Sequence, residues 1–162
     1  MSEPYRFQIM PEEKVIFAKH FGEIKLGNIV KLSQAVNENS CSLKHMNVLV
    51  DCRNCGLDLN AHDLQVVADM LAKKAEQNGY YTEILLISGM LSQGFSRMLG
   101  AKIDELDIRF EVLWDNDPEL EEKVCELLNL EQGFVFPDFL SLPFRPISDS
   151  DASRHSGVCN EI

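Results

Sequence analysis

Three short apolar runs, MNVLVD, TEILLIS and IRFEVLW, constrain this chain more than any other feature, because a segment of helical periodicity separates each from the next. Each run is too short for a helix; MNVLVD and TEILLIS look like strands buried on both faces of a parallel sheet, and IRFEVLW is read as a third. Between the first two, residues 61–78 set Leu64, Val67, Ala68, Leu71 and Ala75 on one stripe, with Lys73, Lys74 and Glu76 opposite and Gly79 as the stop. GMLSQGFSRMLGAKIDEL reads as a helix opened by a glycine. DNDPELEEKVCELLNL is another, with Asp117 as its expected cap, Pro118 in its first turn, and Leu120, Val124, Leu127 and Leu128 facing the core.

Upstream, YRFQIM and KVIFAKHFG flank MPEE and suit a hairpin. Residues 23–37 then place Leu26, Ile29, Val30, Ser33 and Val36 at helical spacing, and NENSCSLKH follows as a loop. The expected order is β-β-α-β-α-β-α-β-α: an α/β fold with a mixed sheet of about five strands and four helices joined by right-handed crossovers. A chain of 162 residues buries a core of useful size without disulfide or metal staples. Residues 1–130 are read as the domain. Residues 131–148, with Phe134, Phe136, Phe139 and Phe144 set among three prolines, are read as an apolar arm packing on that domain or on a second subunit. Residues 149–162 are expected to be a disordered tail.

Charge removes whole classes of partner. A formal net charge of −11 opposes nucleic-acid backbones and anionic membrane surfaces, both of which are bound through Lys and Arg. The N-terminus MSEPYRFQIMPEEK lacks a basic stretch followed by an apolar one, and no apolar run is long enough to span a bilayer. Five irregularly spaced cysteines suit reduced thiols, so the expected compartment is the cytoplasm. Residues 104–122 hold nine acids and one base, Arg109, a solvated face or a docking edge for a basic partner.

Two motifs invite chemistry. In DCRNCGLDLNAHDL, Cys52 and Cys55 have the spacing of a redox pair or half a zinc site. A reactive pair opens a helix, however, whereas five residues separate Cys55 from the nearest helix, and no second ligand pair exists. Small side chains in a turn are the expectation, with Asn60 capping the next helix and Asp63 complementing its positive end. SGMLSQGFS sits where phosphate loops sit, between a buried strand and a helix, and Gly89 and Gly94 have matching spacing. Phe95 and Ser96 occupy the places of the Lys and Ser/Thr that would hold phosphates and magnesium, leaving a modest anion or ligand site at most. The four histidines, His20, His45, His62 and His155, are scattered and expected at the surface, and Ser88 and Ser92 lack a nucleophile elbow. No catalytic residue, metal or cofactor is expected.

With these elements in place, NVLVD leading into DCRNCGLDLNAHDL, then ILLISGMLSQGFSRML, then FEVLWDNDPELEEKVCELL, the chain resembles over residues 4–130 the SpoIIAA-like domains, the anti-sigma-factor-antagonist (STAS) fold that is also likened to SEC14-type lipid-binding domains. The carriers of the resemblance are the strand-terminal Asp51, the Gly94–Met98 stretch on a helix, and Asp-Pro-Glu before the last helix. In the antagonist branch a serine at the start of the helix after the second buried strand is phosphorylated to break binding to a kinase. Aligning on Asp51 puts Asn60 there, and no Ser or Thr occurs between Leu43 and Thr82. The resemblance therefore implies a non-enzymatic binding or regulatory module without the phosphorylated switch. The expected mode is protein–protein contact through the turns at 52–63 and 88–96, with Asp51, Asp58, Asn60, His62, Ser88, Gly89, Met90 and Phe95 as binding residues. A second copy of the chain is a further candidate partner. The alternative is a carrier of a small apolar or lipid-like ligand, in a groove lined by the helix of Met90, Leu91 and Phe95.

Overall fold

The computed structural model describes residues 3–140, apart from the side chains of residues 90–92. Residues 141–148 of the expected arm, Phe144 among them, and the tail at 149–162 lie outside the described residues. The main sheet has five strands: β1 (Tyr5–Met10), β2 (Val15–His20), β4 (Asn47–Asp51), β6 (Tyr81–Ile87) and β7 (Ile108–Trp114). Two further strands, β3 (Glu23–Lys25) and β5 (Gly56–Asp58), pair with each other in parallel. Four helices complete the fold: α1 (Leu26–Glu38), α2 (Ala61–Asn78), α3 (Met90–Ile103) and α4 (Leu120–Leu128). The expected mixed α/β sheet of five strands with four helices is therefore the architecture.

Strand order is β1-β2-β4-β6-β7, antiparallel only at the β1 edge and parallel from β2 onward. Each crossover steps one strand further in the same direction. Right-handed crossovers that never reverse put all their helices on one face, and α1, α2 and α3 do lie together there. Strand alternation then divides the side chains. Ile16, Val48, Leu85 and Ile87 point toward those helices, while Val15, Phe17, Leu49, Ile84 and Leu86 point to the opposite face.

That opposite face is covered by α4 and by residues 134–140. Leu120, Val124, Cys125 and Leu128 of α4 are buried on it. Phe17 meets Phe134 at 5.9 Å and Phe136 at 5.6 Å between ring centroids, and Phe136 and Leu140 are buried with it. The aromatic stretch is apolar because four sheet strands would otherwise present one bare apolar face to water.

Two boundaries differ from expectation. The helix expected from residue 23 begins at Leu26, since Glu23–Lys25 is drawn into extended pairing with Gly56–Asp58 and buries Ile24. Partners 33 residues apart leave no mark in local periodicity. Asp117 was expected as a helix cap; its Oδ1 instead accepts the Glu119 N–H (2.9 Å) in a turn, and α4 starts at Leu120. At Gly79, φ is +79° and an added Cβ would lie 2.6 Å from the His45 ring, so both backbone and space require glycine.

The Asn60 cap is a reciprocal box. The Asp63 N–H donates to Asn60 Oδ1 (2.9 Å), and the Asn60 N–H donates to Asp63 Oδ2 (3.0 Å). Replacing Asn60 with alanine is expected to cost about 1 kcal/mol, read as a lower urea midpoint at unchanged slope. An unchanged midpoint would show the box contributes nothing net.

Candidate functional site

Between the sheet and α1–α3 lies one cavity of about 510 Å³, within the range of ligand sites, about 300–1,000 Å³. Its floor is the helix-side face of the sheet: Ile16, Ala18 and His20 of β2, then Val48, Val50 and Cys52 of β4. β6 adds Glu83, Leu85 and Ile87. The roof comes from Ile29 and Leu32 of α1, Val67 and Leu71 of α2, and Phe95 and Leu99 of α3. The stripe predicted for α1 is half-buried throughout, and the buried residue of that helix is Leu32, outside the predicted stripe, because the helix fronts a cavity instead of closing onto the sheet.

The lining residues that reach solvent mark the mouth. Asn37 belongs to the last turn of α1, and Lys73 and Gln77 to the last turns of α2, so the cavity opens between the C-terminal halves of these helices. Just inside it, Lys74 Nζ lies 3.6 Å from Glu83 Oε2 and 4.2 Å from the centroid of the Tyr81 ring. Glu83 stands in the middle of an otherwise apolar strand. Burial raises its carboxyl above the usual range, and the Lys74 ammonium opposes the shift. Lys74 is lowered by the same burial, with Glu83 opposing. Neither Glu83 Oε2 nor the Tyr81 hydroxyl completes a hydrogen bond of ordinary geometry, but Lys74, at 3.6 Å, and the Tyr81 hydroxyl both approach the Glu83 carboxylate closely enough to oppose the rise that burial causes. Burial also raises the Tyr81 hydroxyl far above its ordinary value.

The other polar group is His20, at the end of β2. Its ring is buried, it lines the cavity, and Nδ1 has no hydrogen-bond partner. Burial pushes its pKa down to about 4, so the ring is neutral at pH 7.

Cys52 lines the same cavity, while Cys55 Sγ donates to the His20 carbonyl oxygen at 3.2 Å. Burial, first, and then Asp51 among the nearby acidic groups raise both thiols, which suppresses the thiolate that nucleophilic or redox work requires. Among the described residues, no three His, Cys, Asp or Glu side chains gather around a metal position. No described helix is long and apolar enough to cross a membrane.

The residues singled out from sequence fall into separate groups. Asp51 is fully buried and meets cations of its own chain: Lys19 Nζ at 3.2 Å, Arg53 Nε at 2.9 Å and Arg53 Nη2 at 2.7 Å. Ser88 Oγ accepts the Asn54 N–H (2.7 Å), which ties the two predicted turns together beside Gly89. Asp58 is exposed and pairs with Lys25 at 3.7 Å; Asn60 is engaged with Asp63; His62 is exposed. Phe95 is the one that reaches the cavity, and the Met90 side chain lies outside the described residues. Sequence reasoning missed His20, Lys74 and Glu83. The available signal was Glu83 itself, an acid inside TEILLIS, where a strand buried on both faces has no use for a charge.

No family model matches the chain, and no curated protein matches it. Among solved structures it is similar to an uncharacterized protein of the DUF3478 family with a SpoIIAA-like fold from Shewanella loihica PV-4, at 13% identity and a TM-score of 0.48, covering 78% of this chain and 98% of that one. The fold named for that protein is the one the sequence resembles. A likeness of this extent carries no argument about function, which rests on the cavity.

Proposed function

We propose that this chain binds and carries a small amphiphile, its apolar body in the cavity and its polar head at the mouth between α1 and α2. The single observation behind this reading is the 510 Å³ of space walled by aliphatic side chains from three strands and three helices. The space opens at its mouth, so water can enter, but aliphatic walls offer it few hydrogen bonds. An apolar occupant takes that wall out of contact with water.

Regulation by protein contact through the 52–63 turn has weaker support. The side chains of Asp51, Asp58, Asn60 and Asp63 and the backbone N–H of Asn54 are engaged within the chain, leaving fewer polar groups there to recognise a partner.

Ala18 tests the reading, since its Cβ faces the cavity from the centre of the floor. Ala18→Phe is expected to abolish uptake of a medium-chain fatty acid, followed by calorimetry, while the melting temperature holds or rises. Wild-type protein that takes up no fatty acid and runs empty in native mass spectrometry would remove the proposal.

A further inference from the structure

Two polar residues of the cavity wall stand at opposite ends of it: Glu83, paired with Lys74, and His20, whose buried Nδ1 has no hydrogen-bond partner. Ile16, Val48 and Glu83 are register partners across β2, β4 and β6, and His20 lies four residues beyond Ile16 on β2. Four strand rises along and two strand spacings across separate His20 from Glu83 by roughly 16 Å. Between them the floor is aliphatic: Ala18, Val48, Val50 and Leu85.

From this geometry we infer that the carried ligand is a single-chain amphiphile polar at both ends, an acid head at the mouth and a hydrogen-bonding group at the far end against the His20 ring, which lines the cavity. The inference rests on the carrier reading above and specifies its ligand. A chain of about a dozen atoms spans the distance, at a rise of ~1.2 Å per bond in an extended chain. At the mouth, Lys73 and Lys74 outnumber Glu83, so the charge balance favours a carboxylate head. At the deep end, the neighbours of His20 in the cavity wall are Ile24, Cys52 and Ile87, none of which completes its Nδ1. A buried ring nitrogen without a partner is a cost that a purely hydrocarbon tail leaves in place and a terminal hydroxyl removes. A neutral imidazole suits a hydroxyl in either tautomer, as donor or as acceptor.

The test compares dodecanoic acid with ω-hydroxydodecanoic acid by calorimetry on the full chain. Wild-type protein is expected to prefer the hydroxy acid by about tenfold, the worth of one good hydrogen bond to a buried group. His20→Leu is expected to erase or invert that preference while retaining the plain acid, and His20→Gln, which keeps a hydrogen-bonding atom, to retain part of it. An arm that needs no variant is 15N NMR, where the His20 ring nitrogen resonances should move with the hydroxy acid and stay with the plain acid. Equal affinities for the two acids in wild-type protein, or a preference that survives His20→Leu, would overturn the inference and leave the carrier reading standing. Binding of neither acid would remove both.

Discussion

Lys74→Met is expected to destabilise the fold by about 3–5 kcal/mol at neutral pH, the usual cost of removing one partner from a buried ion pair. The loss comes from what stays behind. Glu83 is buried in the middle of β6, Lys74 Nζ is its cation at 3.6 Å, and no hydrogen bond satisfies its Oε2. Without Lys74 the carboxylate must remain charged in an apolar wall or take up a proton. The pH dependence identifies the mechanism. Burial holds the Glu83 carboxyl above its ordinary range in the folded chain, and deleting the cation raises it further. A folded-state pKa above the unfolded one means that the native protein keeps a proton the unfolded chain has released. Stability then falls as pH rises across that window and returns on acidification. Urea titrations from pH 7 downward should therefore show the Lys74→Met deficit shrinking. The double change Lys74→Met with Glu83→Leu should recover most of it, because a well-packed apolar pair is often as stable as a buried ionic one. A single-variant deficit below about 1 kcal/mol, or one flat with pH, would show that Glu83 reaches water and that the mouth is more open than its burial indicates.

Asp51→Ala is expected to produce a loss of similar size, about 3–5 kcal/mol, and to loosen a segment far away in sequence. Asp51 Oδ1 accepts from the Arg53 backbone N–H (3.0 Å) and from Arg53 Nε, while Oδ2 accepts from Arg53 Nη2 and Lys19 Nζ. The same Arg53 Nη2 donates to the Leu140 carbonyl oxygen at 2.7 Å, so one guanidinium joins the end of β4 to the segment covering the second sheet face. With the carboxylate gone, Lys19 and Arg53 keep their charge at low exposure, and the Arg53 fork loses the acceptor that orients it. Two readouts should move together: the denaturation midpoint, and amide exchange at 134–140, which should quicken more than exchange in β6. Asp51→Asn, which retains an acceptor without the charge, should fall between wild type and alanine. Exchange at 134–140 that is unchanged in Asp51→Ala would mean the Phe17, Phe134 and Phe136 cluster holds the segment by itself.

The layered fold was legible because burial imposes a period. MNVLVD and TEILLIS admit no other compact use than strands covered on both faces, IRFEVLW, with Arg109 and Glu111, fits the sheet edge it occupies, and the stripe through Leu64, Val67 and Ala68 could only face the sheet. The Asn60 cap was legible too, because a box that closes within four residues is written in four residues. The short pairing of Glu23–Lys25 with Gly56–Asp58 was not, since neither strand has length or alternation enough to announce itself.

The cavity was decided by the tertiary structure alone. The sequence determined that strands and helices alternate; the unreversed strand order that puts three helices on one face came from the tertiary structure. Nor did the sequence determine how closely they settle there, because spacing between layers depends on how side chains from six elements interdigitate, and no local pattern records that sum. The same holds for the polar groups. Glu83, Lys74 and His20 lie on three different elements and read individually as a strand acid, a helix lysine and a surface histidine; His20 is instead buried, because the end of β2 faces the cavity under the helices. Their shared cavity exists only because parallel register places Glu83 beside Val48 and Ile16, with His20 one stretch of β2 further on. Periodicity fixes which way each side chain points; register and layer spacing fix what it finds there.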